Sequence, residues 1–291
     1  MHALLEPFQF GFMLEAFFLA ALIAAVSAIL SCFLVLKGWS LMGDAVSHSV
    51  LPGVVLAYIL GLPFGLGAFA AALLCAGGTG WIKAHSRLKE DTVLGIVFTG
   101  LYALGLVMFT QVETDVHLNH ILYGSLLGIE RNDKIQAIIS GAITLLVILL
   151  KRRDLMLFCF DPNHARAVGL NTAFLHFLLL ALLSATIVAA LQAVGIILII
   201  AMLIVPGCIA LLLSDRFDRM LLIAVCSAVF SALLGTYLSY FLDGASGACI
   251  VLVQALLFTF VLLLAPKHGL LAAHHRPPSI ENPPTSTLPP P

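Results

Sequence analysis

Apolar residues fall into nine long runs, at about 12–36, 41–60, 63–82, 92–111, 134–150, 172–191, 193–213, 220–241 and 246–265. Most hold close to the ~20 residues that carry a helix across the hydrocarbon of a bilayer. A helix also satisfies its own backbone groups where no water is present. Connections as short as Gly61-Leu62-Pro63 force neighbouring runs into hairpins. The pattern therefore predicts an all-α, polytopic transmembrane helical bundle of about nine spans.

The basic residues orient it. Lys83, Arg87 and Lys89 follow the third run, and Lys151, Arg152, Arg153 and Arg166 the fifth. Arg216 and Arg219 follow the seventh, and Lys267 and Arg276 the ninth. In an alternating chain these loops share one side, and the excess of Lys and Arg makes it the cytoplasmic one. Lys37, after the first run, agrees; Arg131 and Lys134 fall on the other side. The loops 83–91, 151–171 and 214–219 and the C-terminus are thus expected inside, with the N-terminus outside.

Two stretches between spans have their own character. Residues 112–133 carry an apolar piece too short to span, read as an outer or re-entrant helix. In 154–171, Asp161 is a candidate N-cap, Pro162 a first helical residue and Gly169 a stop, which predicts a short capped helix over about 161–170. The spans and this helix form one membrane domain, 1–273. The remaining 274–291 hold seven of the thirteen prolines and read as a disordered tail.

Composition narrows the function. Only 10% of residues are charged, against about 25% in soluble domains, so this chain could not cover a water-facing surface. A net charge of −1 supplies no basic field for nucleic acid. Cys32, Cys75, Cys159, Cys208, Cys226 and Cys249 are scattered, without a CxxC, and read as small hydrophobes. There is no P-loop, GxSxG or HExxH, so neither ATP hydrolysis nor other catalysis is expected of this chain. No basic n-region precedes the first run, and no removable signal peptide is expected.

Polar chemistry inside the apolar runs is sparse. Asp44 and His48 lie four residues apart in the first turns of the second run, on one face if helical. From spacing alone two readings stand: ligands facing a pathway, or a helix-start aspartate near the interface with a hydrogen-bonded histidine. Glu113, Asp115, His117 and His120 form a second cluster, either a metal entry point or an ordinary solvated loop. Gln192 separates two runs as a turn or packing residue, and Glu15 and His176 lie near span ends, where polar tips reach the interface.

The stretch Leu34-Val-Leu-Lys-Gly-Trp-Ser-Leu-Met-Gly-Asp-Ala-Val-Ser-His-Ser-Val-Leu-Pro-Gly53 resembles the signature of the ABC transporter metal-permease family. The run Val194 to Ala210 resembles a late span of that family, Asp161 to Gly169 its cytoplasmic coupling helix, and Ala265-Pro-Lys-His-Gly-Leu-Leu271 the ending of its manganese and chelated-iron branch. Lys37-Gly-Trp-Ser is also closer to that branch than to zinc importers. The resemblance implies a permease related to the type II, vitamin B12 importer fold, in a bacterial cytoplasmic (inner) membrane. It implies partners: a separate ATP-binding cassette ATPase, a metal-binding periplasmic or lipoprotein receptor, and a second permease copy or paralogue. The cargo would be Mn2+ or Fe2+, with no permanently bound cofactor. Asp44 and His48 match the family's Gly-Asp-x-x-x-His stretch and would line the ion pathway, while Asp161, Ala165 and Gly169 would couple to the ATPase. Acid should weaken uptake, because only neutral imidazole is a ligand. A Zn2+ permease of the same family and an ion-gradient-driven secondary transporter are the alternatives.

Overall fold

A computed structural model describes residues 6–112 and 131–265. After a 3-10 turn at Glu6–Gln9, the helices are α1 (Gly11–Lys37), α2 (Met42–Ser49), α3 (Leu51–Leu60), α4 (Phe64–His85), α5 (Glu90–Thr110), α6 (Arg131–Phe160), α7 (Pro162–Ala167), α8 (Thr172–Val194), α9 (Ile196–Leu213), α10 (Phe217–Leu242) and α11 (Ser246–Leu264). Nine segments are long and apolar enough to span among the described residues, with α2 and α3 together making one of them. The expected bundle is therefore the observed one, and no strand occurs among the described residues. The outer cluster Glu113, Asp115, His117 and His120, the stretch 113–130 around it and the proline-rich tail lie outside the described residues.

Helix α1 is the axis. It packs on α6, α8, α9 and α10, most extensively on α9 and α10. Lipid tails are as apolar as leucine, so burial of apolar area does not hold such helices together; close backbone approach does. Small residues are accordingly buried along both helices, Ala16, Ala20, Ala24 and Ala28 on α1 and Ala224, Ala228 and Ala232 on α10, while Gly235 of α10 lies against Ile250 of α11. Ser31 ties α1 to α9. Its hydroxyl donates to the Ile204 carbonyl at 3.2 Å and accepts from the Gly207 N–H at 2.9 Å. These two contacts flank Pro206, which cannot donate within its own helix.

The end of α1 shows why the signature stretch looks as it does. Gly38, at φ 76, ends the helix in the left-handed conformation. Lys37 reaches across to α6, where its ammonium donates to the Phe158 carbonyl at 3.4 Å and lies 4.1 Å from that ring's centre. Trp39 packs edge-on against His176 of α8 at 4.9 Å. His176, half-buried near the start of its span, has its ring among Trp39, Phe158 and Phe177. Of the two readings of Gln192, the turn does not hold: α8 runs through it to Val194, and the chain turns at Gly195, φ 80.

Arg152 on α6 pairs with Asp218 at the start of α10. With the Lys37 contact, this gathers Lys37, Lys151–Arg153, Arg216 and Arg219 at one end of the bundle. Lys134, which broke the basic pattern, pairs with Glu15 at the opposite end of α6 and α1.

Candidate metal site

The second span is broken one turn beyond His48. Pro52 has no N–H, so it cannot donate to the His48 carbonyl, and the helical ladder lapses at Val50 before α3 resumes. Four glycines clamp this broken rod from three sides. A Cβ on Gly53 would stand 2.0 Å from the Gly67 carbonyl oxygen, and one on Gly67 2.1 Å from the Gly53 oxygen, so α3 and α4 touch backbone to backbone. A Cβ on Gly105 of α5 would meet the Pro52 ring at 2.8 Å, and one on Gly43 would meet Leu203 of α9 at 3.2 Å.

On this rod the spacing argument holds. Asp44 Oδ1 and His48 Nε2 lie 3.3 Å apart on one face of α2. Every residue from Met42 to Val50 is buried except these two, whose side chains keep 39% and 34% of their surface. Around them Ser47 and Ser49 return their hydroxyls to the helix's own carbonyls, at Gly43 and Val46. The polar residues of α2 therefore divide cleanly, two serines inward and an acid and an imidazole outward. Tyr102 and Phe98 of α5 wall one side, their ring centres 5.5 and 6.4 Å from the His48 imidazole.

This donor set offers one hard carboxylate oxygen and one imidazole nitrogen, which suits a first-row divalent ion. It is too small to hold one permanently. No group of three or more His, Cys, Asp or Glu side chains converges anywhere among the described residues. Sequence reasoning found the pair but not Tyr102 or Phe98, for which no motif exists; α5 brings them in by tertiary packing.

The other predicted site is α7. Asp161 caps it, its carboxylate accepting from the Asn163 and His164 N–H groups at 2.9 and 3.0 Å. Those two bonds hold the Asp161 carboxyl below its usual range, the His164 N–H contributing most. Pro162 opens the helix, and Gly169, at φ 90, turns the chain away. Ala165 is fully buried against the chain's own body, so the outward face of α7 is Asn163, His164, Arg166 and Ala167, followed by Val168.

Comparison with known proteins assigns the family. Residues 9–265 match the model of the ABC 3 transport family, and the chain belongs to that family, the membrane permeases of ABC transport systems. It is 54% identical over 282 residues to the manganese transport system membrane protein MntB of Synechocystis, covering 97% of this chain and 92% of that one. It is 56% identical over 258 residues to the chelated iron transport system membrane protein YfeD of Yersinia pestis, covering 89% and 87%. Among solved structures, PsaBC from Streptococcus pneumoniae in complex with Fab superposes with a TM-score of 0.84 at 36% identity, over 94% of this chain and 100% of that one. A metal-chelate type ABC transporter in an inward-facing conformation shares the fold, with a TM-score of 0.66 at 19% identity over 86% and 85% of the two chains.

Proposed function

We propose that this chain is the permease subunit of an ATP-driven importer of Mn2+ or Fe2+, and that Asp44 and His48 contact the ion in transit. The single observation that carries the site is that α2 buries every residue from Met42 to Val50 except this acid–imidazole pair, 3.3 Å apart. Relatives named for manganese and chelated-iron transport support the cargo. A self-contained gradient-driven carrier does not fit a member of an ABC family.

Two ligands from one chain leave most of an ion's coordination shell open. The same pair from a second permease copy or paralogue, with water, would complete a weak and shared site, which releases its ion as conduction requires. In this reading the ATPase is a separate subunit, α7 docks on it from the cytoplasm, and a periplasmic or lipoprotein receptor delivers metal. Ala165 contributes by pinning α7 to the permease, and Gly169 by turning the chain. The ATPase meets Asn163, His164, Arg166 and Val168. The basic end of the bundle and the C-terminus face the cytoplasm.

Uptake of radiolabelled manganese and iron by cells carrying the intact system tests this, with zinc as competitor. Asp44→Ala and His48→Ala should abolish uptake while the permease still inserts and assembles with its ATPase. Parental import by both variants would place the pathway elsewhere. Zinc imported in preference to the other two would make this a zinc permease.

A further inference from the structure

At the basic end of the bundle, a cleft of about 820 Å³ opens between the last turns of α6 and the first turns of α10. Both helices pack on α1, which lies between them. The cleft is lined by Arg152, Arg153, Arg216 and Arg219, with Asp154 and Asp218. Both acids are already engaged: Asp218 pairs with Arg152, whose guanidinium sits 5.9 Å from the Phe217 ring centre, and Asp154 pairs with Lys151 at 3.1 Å. Arg153, Arg216 and Arg219 are exposed, make none of the ion pairs found among the described residues, and converge from two helices. Asp215 sits beside Arg216 in the connecting loop but does not line the cleft.

Depth decides what such a cleft meets. Helix α6 has 30 residues, about 45 Å at 1.5 Å each, against about 30 Å of hydrocarbon. Its apolar run ends at Leu149 and Leu150, which are 60% and 74% exposed and also line the cleft. The arginines follow at once, and on α10 the outward Leu222, 65% exposed, comes one turn after Arg219. Guanidinium groups therefore stand at headgroup level directly beyond leucines at acyl level.

We propose that this cleft is a binding site for an anionic phospholipid, its headgroup phosphate held by Arg153, Arg216 and Arg219 and its chains lying on Leu149, Leu150 and Leu222. A general excess of basic residues on one side would not need a cavity, two converging helices or pre-neutralised acids. Guanidinium also suits the anion, since its planar fork meets a phosphate in bidentate fashion. The lipid would wedge α6 against α10 and fix the base from which α7 projects.

The test uses the full-length permease in phosphatidylcholine nanodiscs, alone or doped with phosphatidylglycerol or cardiolipin, read by native mass spectrometry and thermal unfolding. The parent should retain anionic lipid and gain thermal stability from it. Neutralising Arg153, Arg216 and Arg219 to Gln should weaken retention roughly fivefold per arginine, the effect of about 1 kcal/mol per charge near the membrane surface. Converting the three to Lys should restore only part of it, because an ammonium keeps the charge but not the bidentate fork. Arg87→Gln removes a cation at another loop and should change nothing; an equal loss there would make the effect diffuse and overturn the site. Inorganic phosphate matching the lipid's stabilisation would reduce the site to a free-phosphate site and overturn the lipid assignment. Equal unfolding temperatures of parent and triple Gln variant in pure phosphatidylcholine would show intact folding. If that variant instead failed to assemble with the ATPase in every lipid, while lipid retention stayed parental, the cleft would be a protein dock and the proposal wrong.

Discussion

The backbone contact between α3 and α4 makes the sharpest test of how the metal site is held. Gly53 lies five residues beyond His48, on the first turn after the break. In Gly53→Ala the new Cβ would fall 2.0 Å from the Gly67 oxygen and 2.7 Å from Ala71 Cβ. A carbon against a carbonyl oxygen rests at about 3.3–3.6 Å, so the helices must part by more than about 1 Å. No flexible side chain is there to yield, because the nearest obstacle is backbone. Overpacking of this kind costs about 1–3 kcal/mol, and here the full displacement is delivered to the rod carrying Asp44 and His48. Gly77→Ala is the control, on the same α4, where a Cβ meets nothing within 4 Å. There the change should be neutral or stabilising by up to about 1 kcal/mol, from helix propensity. Thermal unfolding of the purified permease, paired with manganese uptake, reads both. Gly53→Ala should unfold at lower temperature and transport poorly, Gly77→Ala should match the parent in transport, and Gly67→Ala should repeat the first result from the other side of the contact. Parental stability and uptake in Gly53→Ala would show that α3 and α4 do not touch as described.

Two further outcomes are expected. Lys37→Met removes the ammonium from the Phe158 carbonyl and ring, and should cost about 1–3 kcal/mol, as a lost charged hydrogen bond does; Lys37→Arg should recover part of it, and equal stability of all three forms in thermal unfolding would count against the link. Asp161 is held below the usual carboxylate range by the two N–H groups it caps, so the sign is fixed: the cap contributes above the unfolded carboxyl's ordinary value, near ~3.9, and is lost as pH falls through the lower folded value. Amide protection factors over 163–167, corrected for the intrinsic pH dependence of exchange, should therefore fall in acid in the parent and be constant over the same range in Asp161→Asn, which accepts the same bonds without titrating; acid-dependent protection in that variant would refute the cap.

The nine spans, the α7 cap at Asp161 and the pairing of Asp44 with His48 were legible from the sequence alone. Each is a local property. Bilayer thickness converts a run length into a span, a cap is decided within four residues, and a spacing of four fixes a shared helix face whatever surrounds it. The direction in which that face points was not legible. Asp44 and His48 look outward because Gly43, Gly53 and Gly105 let α9, α4 and α5 close on the other sides, and those contacts join residues far apart in the chain. The ring neighbours of His176 were not legible for the same reason, since Trp39 and Phe158 come from other helices. Ala165, which the resemblance assigned to ATPase coupling, forms the buried foot of α7. Lys134 broke the charge pattern until its partner Glu15, on another helix, came into view. In lipid this division is sharper than in water. Surface apolarity no longer distinguishes inside from outside, so which face of a span meets protein is written in small residues and backbone contacts that only the assembled bundle reveals.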